Sequence, residues 1–176
     1  PWRVMDINSG SDSSDPGDNI AVVVGDTLYF DADDGSAGLE LCAHDASNHS
    51  TWQVTDISSG SGDGNPGQYM EILVGDTIYF SAFDFSTGDE LCAHDTSNGS
   101  TWRVADIHTG TSGSEPGMYM SLLVGDTIYF DAAALGGTEL WAHDISNQST
   151  WRVVDIYTGS IGSDPGDEMA LLVGDT

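Results

Sequence analysis

The sequence predicts an all-β fold of β-propeller-like tandem repeats, each a four-stranded antiparallel meander of ~50 residues. Three observations carry that prediction. Trp2, Trp52, Trp102 and Trp151 are spaced by 50, 50 and 49 residues, and the apolar positions between them stay in register. Each period holds short apolar runs separated by Gly, Pro, Asn and Asp clusters, the punctuation of strands and turns. No stretch carries the spacing or the caps of a helix.

The strands follow in order. "NIAVVV", "YMEILV" and "YMSLLV" run into Gly25-Asp26, Gly75-Asp76 and Gly125-Asp126, two-residue hairpin turns that need a positive φ. The second strands, "TLYFDA", "TIYFSA" and "TIYFDA", are rich in β-branched and aromatic residues. A variable loop follows, one residue shorter in the third repeat between Phe130 and Glu139, and deletions settle in loops. Third strands read "ELCAHD", "ELCAHD" and "ELWAHD", and an Asn-x-Ser turn leads into fourth strands such as "TWRVADI". Connectors closing on Pro-Gly join one repeat to the next.

The chain therefore divides into the end of a preceding repeat and its connector (1–18), three repeats (19–67, 68–117 and 118–166) and the start of a further one (167–176). It opens on Pro1 inside a fourth strand and stops at Thr176 inside a second, so it is expected to be a window cut from a longer array. A single such sheet exposes both faces, and stacking on neighbours supplies the core.

Composition narrows the function. Among 176 residues, 29 Asp and Glu face three Arg and no Lys, a formal charge of -26. Nucleic acid and anionic membranes are excluded as partners, because both need a basic surface. No run approaches the ~20 apolar residues of a membrane helix. Self-repulsion on this scale calls for salt or bound cations, which an extracellular setting supplies.

The run "YFDADDGSAGLELCAHD", followed by a V-x-D-I-x-x-G segment and a Pro-Gly loop, resembles the tandem repeats of large secreted and surface proteins marked by an ELW-x-x-D signature. The resemblance spans the whole chain, and Glu139, Leu140 and Trp141 keep the literal triplet. Cys42 and Cys92 stand where Trp is usual, and an Asn-x-Ser turn replaces the family's Asp-Gly-Thr. The resemblance implies a propeller-like, extracellular, architectural or adhesive protein with no catalytic residues to carry over.

Candidate sites follow from the repeat. Asn48, Asn98 and Asn147 head the Asn-x-Ser triplets, each at one repeat position in the outermost hairpin, and are expected to carry N-linked glycans. Their middle residues, His49, Gly99 and Gln148, differ while Asn and Ser do not. Asn also suits the turn itself, which is the alternative. Asp31, Asp33, Asp34 and Glu40 offer an oxygen-rich loop for Ca²⁺, against the plain fact that Asp favours turns.

His44, His94 and His143, each followed by Asp, are read as strand-end structural residues rather than a metal ring. Asp6, Asp56, Asp106 and Asp155 are read as caps of the turn after the fourth strand, and the four repeated Trp as packing between blades rather than sugar platforms. Cys42 and Cys92 are repeat-equivalent, too far apart in stacked sheets to bridge each other, and are either buried thiols or partners in an intermolecular disulfide. Nothing resembles a nucleophile elbow or a phosphate loop, so the expectation is no enzyme. The reading is a self-associating extracellular structural protein building a fibre, sheath or appendage. The alternative is a calcium-dependent carbohydrate-binding adhesin.

Overall fold

The computed structural model describes residues 2–159 and 161–168. Residues 169–176, where the start of a further repeat is expected, lie outside the described residues. The fold is all-β, with twelve strands in three four-stranded sheets. The first sheet holds β1 (Ala21–Val24), β2 (Thr27–Asp33), β3 (Leu39–Asp45) and β4 (Ser50–Thr55). The second holds β5 (Glu71–Val74), β6 (Thr77–Asp84), β7 (Gly88–Asp95) and β8 (Ser100–Ala105). The third holds β9 (Ser121–Val124), β10 (Thr127–Ala134), β11 (Gly137–Asp144) and β12 (Ser149–Val154). Each sheet is an antiparallel meander in chain order. No helix among the described residues is long and apolar enough to cross a membrane.

The first hairpin of every sheet turns on a Gly with φ of 60° (Gly25, Gly75 and Gly125), followed by Asp at negative φ. That is the type II′ geometry, whose twist matches the strands it joins. Around each of these glycines a Cβ would meet nothing, so backbone conformation alone selects the residue. Between the third and fourth strands a bulge recurs at one position, beside Leu41 and Cys42, Leu91 and Cys92, and Leu140 and Trp141.

The middle strands are buried on both faces, as inner layers of a stack must be. One face of the first sheet packs Ile20, Tyr29, Leu41 and Ala43 against Ile78, Phe80, Ala82 and Cys92 of the second. The second sheet repeats the arrangement, setting Met70, Tyr79, Leu91 and Ala93 against Ile128, Phe130 and Ala132 of the third. Strands β5 and β9 approach one another, which puts first strands on the inner side of the stack and fourth strands on the outer.

Residues 2–7 depart from the expected partial sheet. Their sequence is that of a fourth strand, yet they form none. They join none of the three sheets and have no third strand beside them.

Candidate functional site

Each blade carries the same polar groups, and the structure places most of them in its joints. Glu40, Glu90 and Glu139 lie at the start of the third strands with at most 1% of their surface exposed. Glu40 accepts the Ile57 and Ser58 amides at 2.8 and 3.1 Å, and Glu90 accepts those of Ile107 and His108 at the same distances. Glu139 accepts the Ile156 amide at 3.0 Å. Ser114 and Ser163 add hydroxyl donors to Glu90 and Glu139 at 2.7 and 2.6 Å. Gly64 stands at that position in the first repeat, where a Cβ would come within 2.6 Å of Glu40. Burial pushes the Glu40 carboxyl up to about 7, against the pull of the amides. Glu90 is raised for the same reason.

These carboxylates hold the connectors, which strap successive blades together. The Leu39 carbonyl in the first sheet accepts the Gly64 and Asn65 amides, while the Gly64 carbonyl accepts the Phe83 amide of the second. Ser114, Glu115 and Ala133 repeat the pattern one blade on. The Pro-Gly glycines seat the blades more closely still. A Cβ on Gly67 would stand 2.6 Å from that of Ile20, on Gly117 from that of Met70, and on Gly166 from that of Met120.

Sequence reasoning gave the turn-capping duty to Asp6, Asp56, Asp106 and Asp155, and the structure moves it to the Glu residues. Three of the four Asp instead pair with arginines, Arg3 with Asp6 at 3.0 Å, Arg103 with Asp106 at 3.9 Å and Arg152 with Asp155 at 3.4 Å. The Glu signal was present: a carboxylate at one position of every third strand.

The proposed calcium residues are split. Asp31 is fully buried and accepts the amides of Asn19 and Ile20 at 3.2 Å, a task done by the Ser81 hydroxyl and by Asp131 in the later blades. Asp33 accepts the Gly35 amide, and Asp34 accepts the Ser36 and Ala37 amides, which hold its carboxyl below the usual range. Glu40 belongs to the strap. Among the described residues, no group of three or more His, Cys, Asp or Glu is arranged to hold a metal ion.

His94 and His143 lie between blades, and His44 lines a groove on the outward face of the first sheet. Nδ1 of His44, His94 and His143 is 2.8–2.9 Å from the hydroxyl of Thr51, Thr101 and Thr150. The Tyr29 ring lies 5.4 Å from that of His94 at 49°, and Tyr79 lies 5.5 Å from His143 at 47°. Burial lowers the pKa of His94 and His143, so both are neutral packing groups. Sequence reasoning missed the Tyr-His pairing, though both partners recur at fixed positions.

The fourth-strand tryptophans do not pack uniformly between blades. Trp102 rests against the second core cluster, whereas Trp52 and Trp151 are 43% and 40% exposed, since fourth strands form the outer edge. Cys42 and Cys92 are free and buried, their thiols pushed up by burial to about 11 and about 12. Thiols so protonated and enclosed are poor partners for an intermolecular disulfide.

Asn48, Asn98 and Asn147 are exposed at the tips of the outer hairpins. In each turn the Asn side chain donates to the preceding Asp, 2.6 Å from Asn48 to Asp45, and accepts the amide of the following Ser, 2.8 Å from Ser50. The middle residue takes a left-handed φ of 61° at His49, 74° at Gly99 and 59° at Gln148. Hydrogen bonds from the Ser47, Ser97 and Ser146 hydroxyls hold Asp45, Asp95 and Asp144 below the usual carboxylate range.

The chain is similar in fold to propeller-containing proteins of known structure. A puromycin hydrolase mutant complexed with PGG matches with a TM-score of 0.53 at 15% identity, over 85% of this chain and 21% of that one. Puromycin hydrolase itself matches at 0.50 and 14%, over 79% and 20%, and TolB from Acinetobacter baumannii at 0.49 and 18%, over 77% and 31%. This chain thus spans between a fifth and a third of those proteins, and identities this low speak to fold alone. No protein-family model and no curated protein matches the chain.

Proposed function

We propose that this is a non-enzymatic, extracellular structural protein whose blades build a glycan-bearing surface fibre, sheath or appendage by self-association. One observation carries the reading. The buried Glu of each blade, with His94 and His143, is occupied in joints between strands, connectors and neighbouring blades, whereas the Asn-x-Ser turns recur in solvent at the outer end of every blade. A surface that repeats at every blade suits a contact or a glycan made many times over.

The adhesin alternative draws on the half-exposed Trp52 and Trp151, which offer flat apolar faces to a sugar. Electron microscopy of native material, with glycopeptide mass analysis, separates the two. Regular filaments with sugar at Asn48, Asn98 and Asn147 are the expected outcome. Dispersed particles that agglutinate in a saccharide-dependent manner, with agglutination lost in a chelator, would replace the structural reading with the adhesin.

A further inference from the structure

The joint between the first and second sheets leaves a cleft whose polar groups are not spent on one another. It has a volume of about 220 Å³ and is lined, among others, by Asp56 and Ile57 just after β4, Asp84 and Thr87 around the β6–β7 loop, Cys92 of β7 and Arg103 of β8. Thr87 is 8% exposed, and its hydroxyl has no hydrogen-bond partner among the described residues. Asp84 takes the Ser86 amide and hydroxyl on Oδ1, which leaves Oδ2 without a donor among the described residues. Asp56 follows Gln53 where the three other Asp of its position follow Arg, and it has no ion pair among the described residues. Arg103, across the ladder from Cys92, meets Asp106 only at 3.9 Å.

The counterpart cleft at the next joint is a different kind of space. It is lined by Ile107, Ala134, Leu135, Trp141 and Arg152 among others. Ala134 stands for Asp84, the loop that is one residue shorter has no place for Thr87, and Trp141 holds the register position of Cys92. Arg152 is paired with Asp155 at 3.4 Å. In the first sheet Gln53 replaces the arginine. Among the described residues, one joint thus combines a donor, two acceptors and an unpartnered hydroxyl around open room.

Hydrogen-bonding capacity decides what fits. Ionised carboxylates only accept and a guanidinium only donates, whereas a hydroxyl does both. Asp56 and Asp84 oppose an anion, and Arg103 opposes a cation. A neutral ligand dense in hydroxyls satisfies all three, and Ile57 offers an apolar flank to its C–H groups. The volume lies below the roughly 300 Å³ at which pockets for drug-sized molecules begin, which suits a single six-membered ring. We infer that this cleft binds one neutral pyranose unit of a saccharide, with Asp56 and Asp84 accepting from its hydroxyls and Arg103 and Thr87 donating to its oxygens. Neither the exposed tryptophans nor a metal ion takes part. The site goes beyond the fibre reading, which stands or falls without it.

Saturation-transfer NMR of the chain with the methyl glycosides of glucose, galactose and mannose tests it, with acetate and methylammonium as charged comparisons. At least one glycoside should bind, and neither ion should displace it. Three variants copy residues that other blades already hold: Asp84→Ala follows Ala134, Arg103→Gln follows Gln53 and Cys92→Trp follows Trp141. The first two should each weaken binding at least about tenfold, and the third should abolish it by filling the cleft, with far-UV circular dichroism unchanged. Should Cys92→Trp fail to fold, Thr87→Ala takes its place, with a loss of about threefold or more. Silence from all three glycosides, or full binding by Asp84→Ala or Arg103→Gln, overturns the inference. So does displacement by either ion, which would make the cleft an ion site, or loss of binding in a chelator, which would move recognition to a calcium-dependent surface.

Discussion

A carboxylate buried among amides faces two opposed demands: at Glu40 desolvation prevails, whereas at Glu139 it is outweighed by hydrogen bonds from Ser163 and the Ile156 and Tyr157 amides, which hold the carboxyl below its usual value. Desolvation disfavours the Glu40 charge, while the Ile57 and Ser58 amides favour it. The net effect lifts its pKa from the usual 4.5 to about 7. A folded-state pKa above the unfolded one means that its contribution to stability is complete below about pH 4.5 and is lost as pH rises through about 7. His94 and His143, whose pKa values burial lowers, act in the opposite sense and lose stability as pH falls below the ordinary value of 6.5. The Glu contribution is isolated by comparison with Glu40→Gln, which cannot ionise. Relative to the native chain, the variant should gain melting temperature as pH rises from about 5 to about 8. A relative loss over that range would mean that the amides win and the carboxylate is ionised throughout.

At the scale of the element, the outer turn is legible in the sequence and so is its ambiguity. The Asn of each Asn-x-Ser both closes the turn and offers an exposed amide, so one spelling serves two purposes. The middle residue separates them. Because it adopts a left-handed φ, Gln148→Gly should stabilise the unmodified chain by roughly 1 kcal/mol and Gly99→Gln should destabilise it by a similar amount. Urea denaturation reads both changes, and since neither touches Asn or Ser, glycan occupancy on native material should not follow them. Equal stabilities would show that the turn conformation is not selecting the residue. Strand positions were equally open to reading, since alternation, β-branched content and Gly-Asp turns all act locally. The Glu straps were not. Whether a carboxylate sits in water or against amides some 17 residues away depends on the stacking of whole sheets, so the recurrent Glu marks a position without naming its partners.

For the whole molecule, the period of the tryptophans was sufficient to predict stacked meanders, because a sheet that is apolar on both faces has nowhere else to bury them. What the period did not reveal was the unequal placement of the tryptophans themselves: Trp102 packs on the cluster between blades, whereas Trp52 and Trp151 are largely open at the outer edge. Nor did it distinguish a cluster of Asp along the chain from one in space: Asp31 and Glu40 turn to separate sets of amides. The straps themselves are unequal. Glu90 and Glu139 each gain a serine hydroxyl, while Glu40 faces the bare backbone of Gly64. A filament pulled from its ends would load these junctions in series, and a chain in series parts at its weakest member. The first blade should therefore be the one that tears away first, each rupture releasing about 50 residues and roughly 170 Å of slack. Gly64→Ser, which restores the donor if Glu40 shifts to admit it, should raise the first rupture force in single-molecule extension, and an unchanged force would place the weak point elsewhere. On the proposed fibre reading, such a filament would absorb shock in an order of yielding set by one missing hydroxyl.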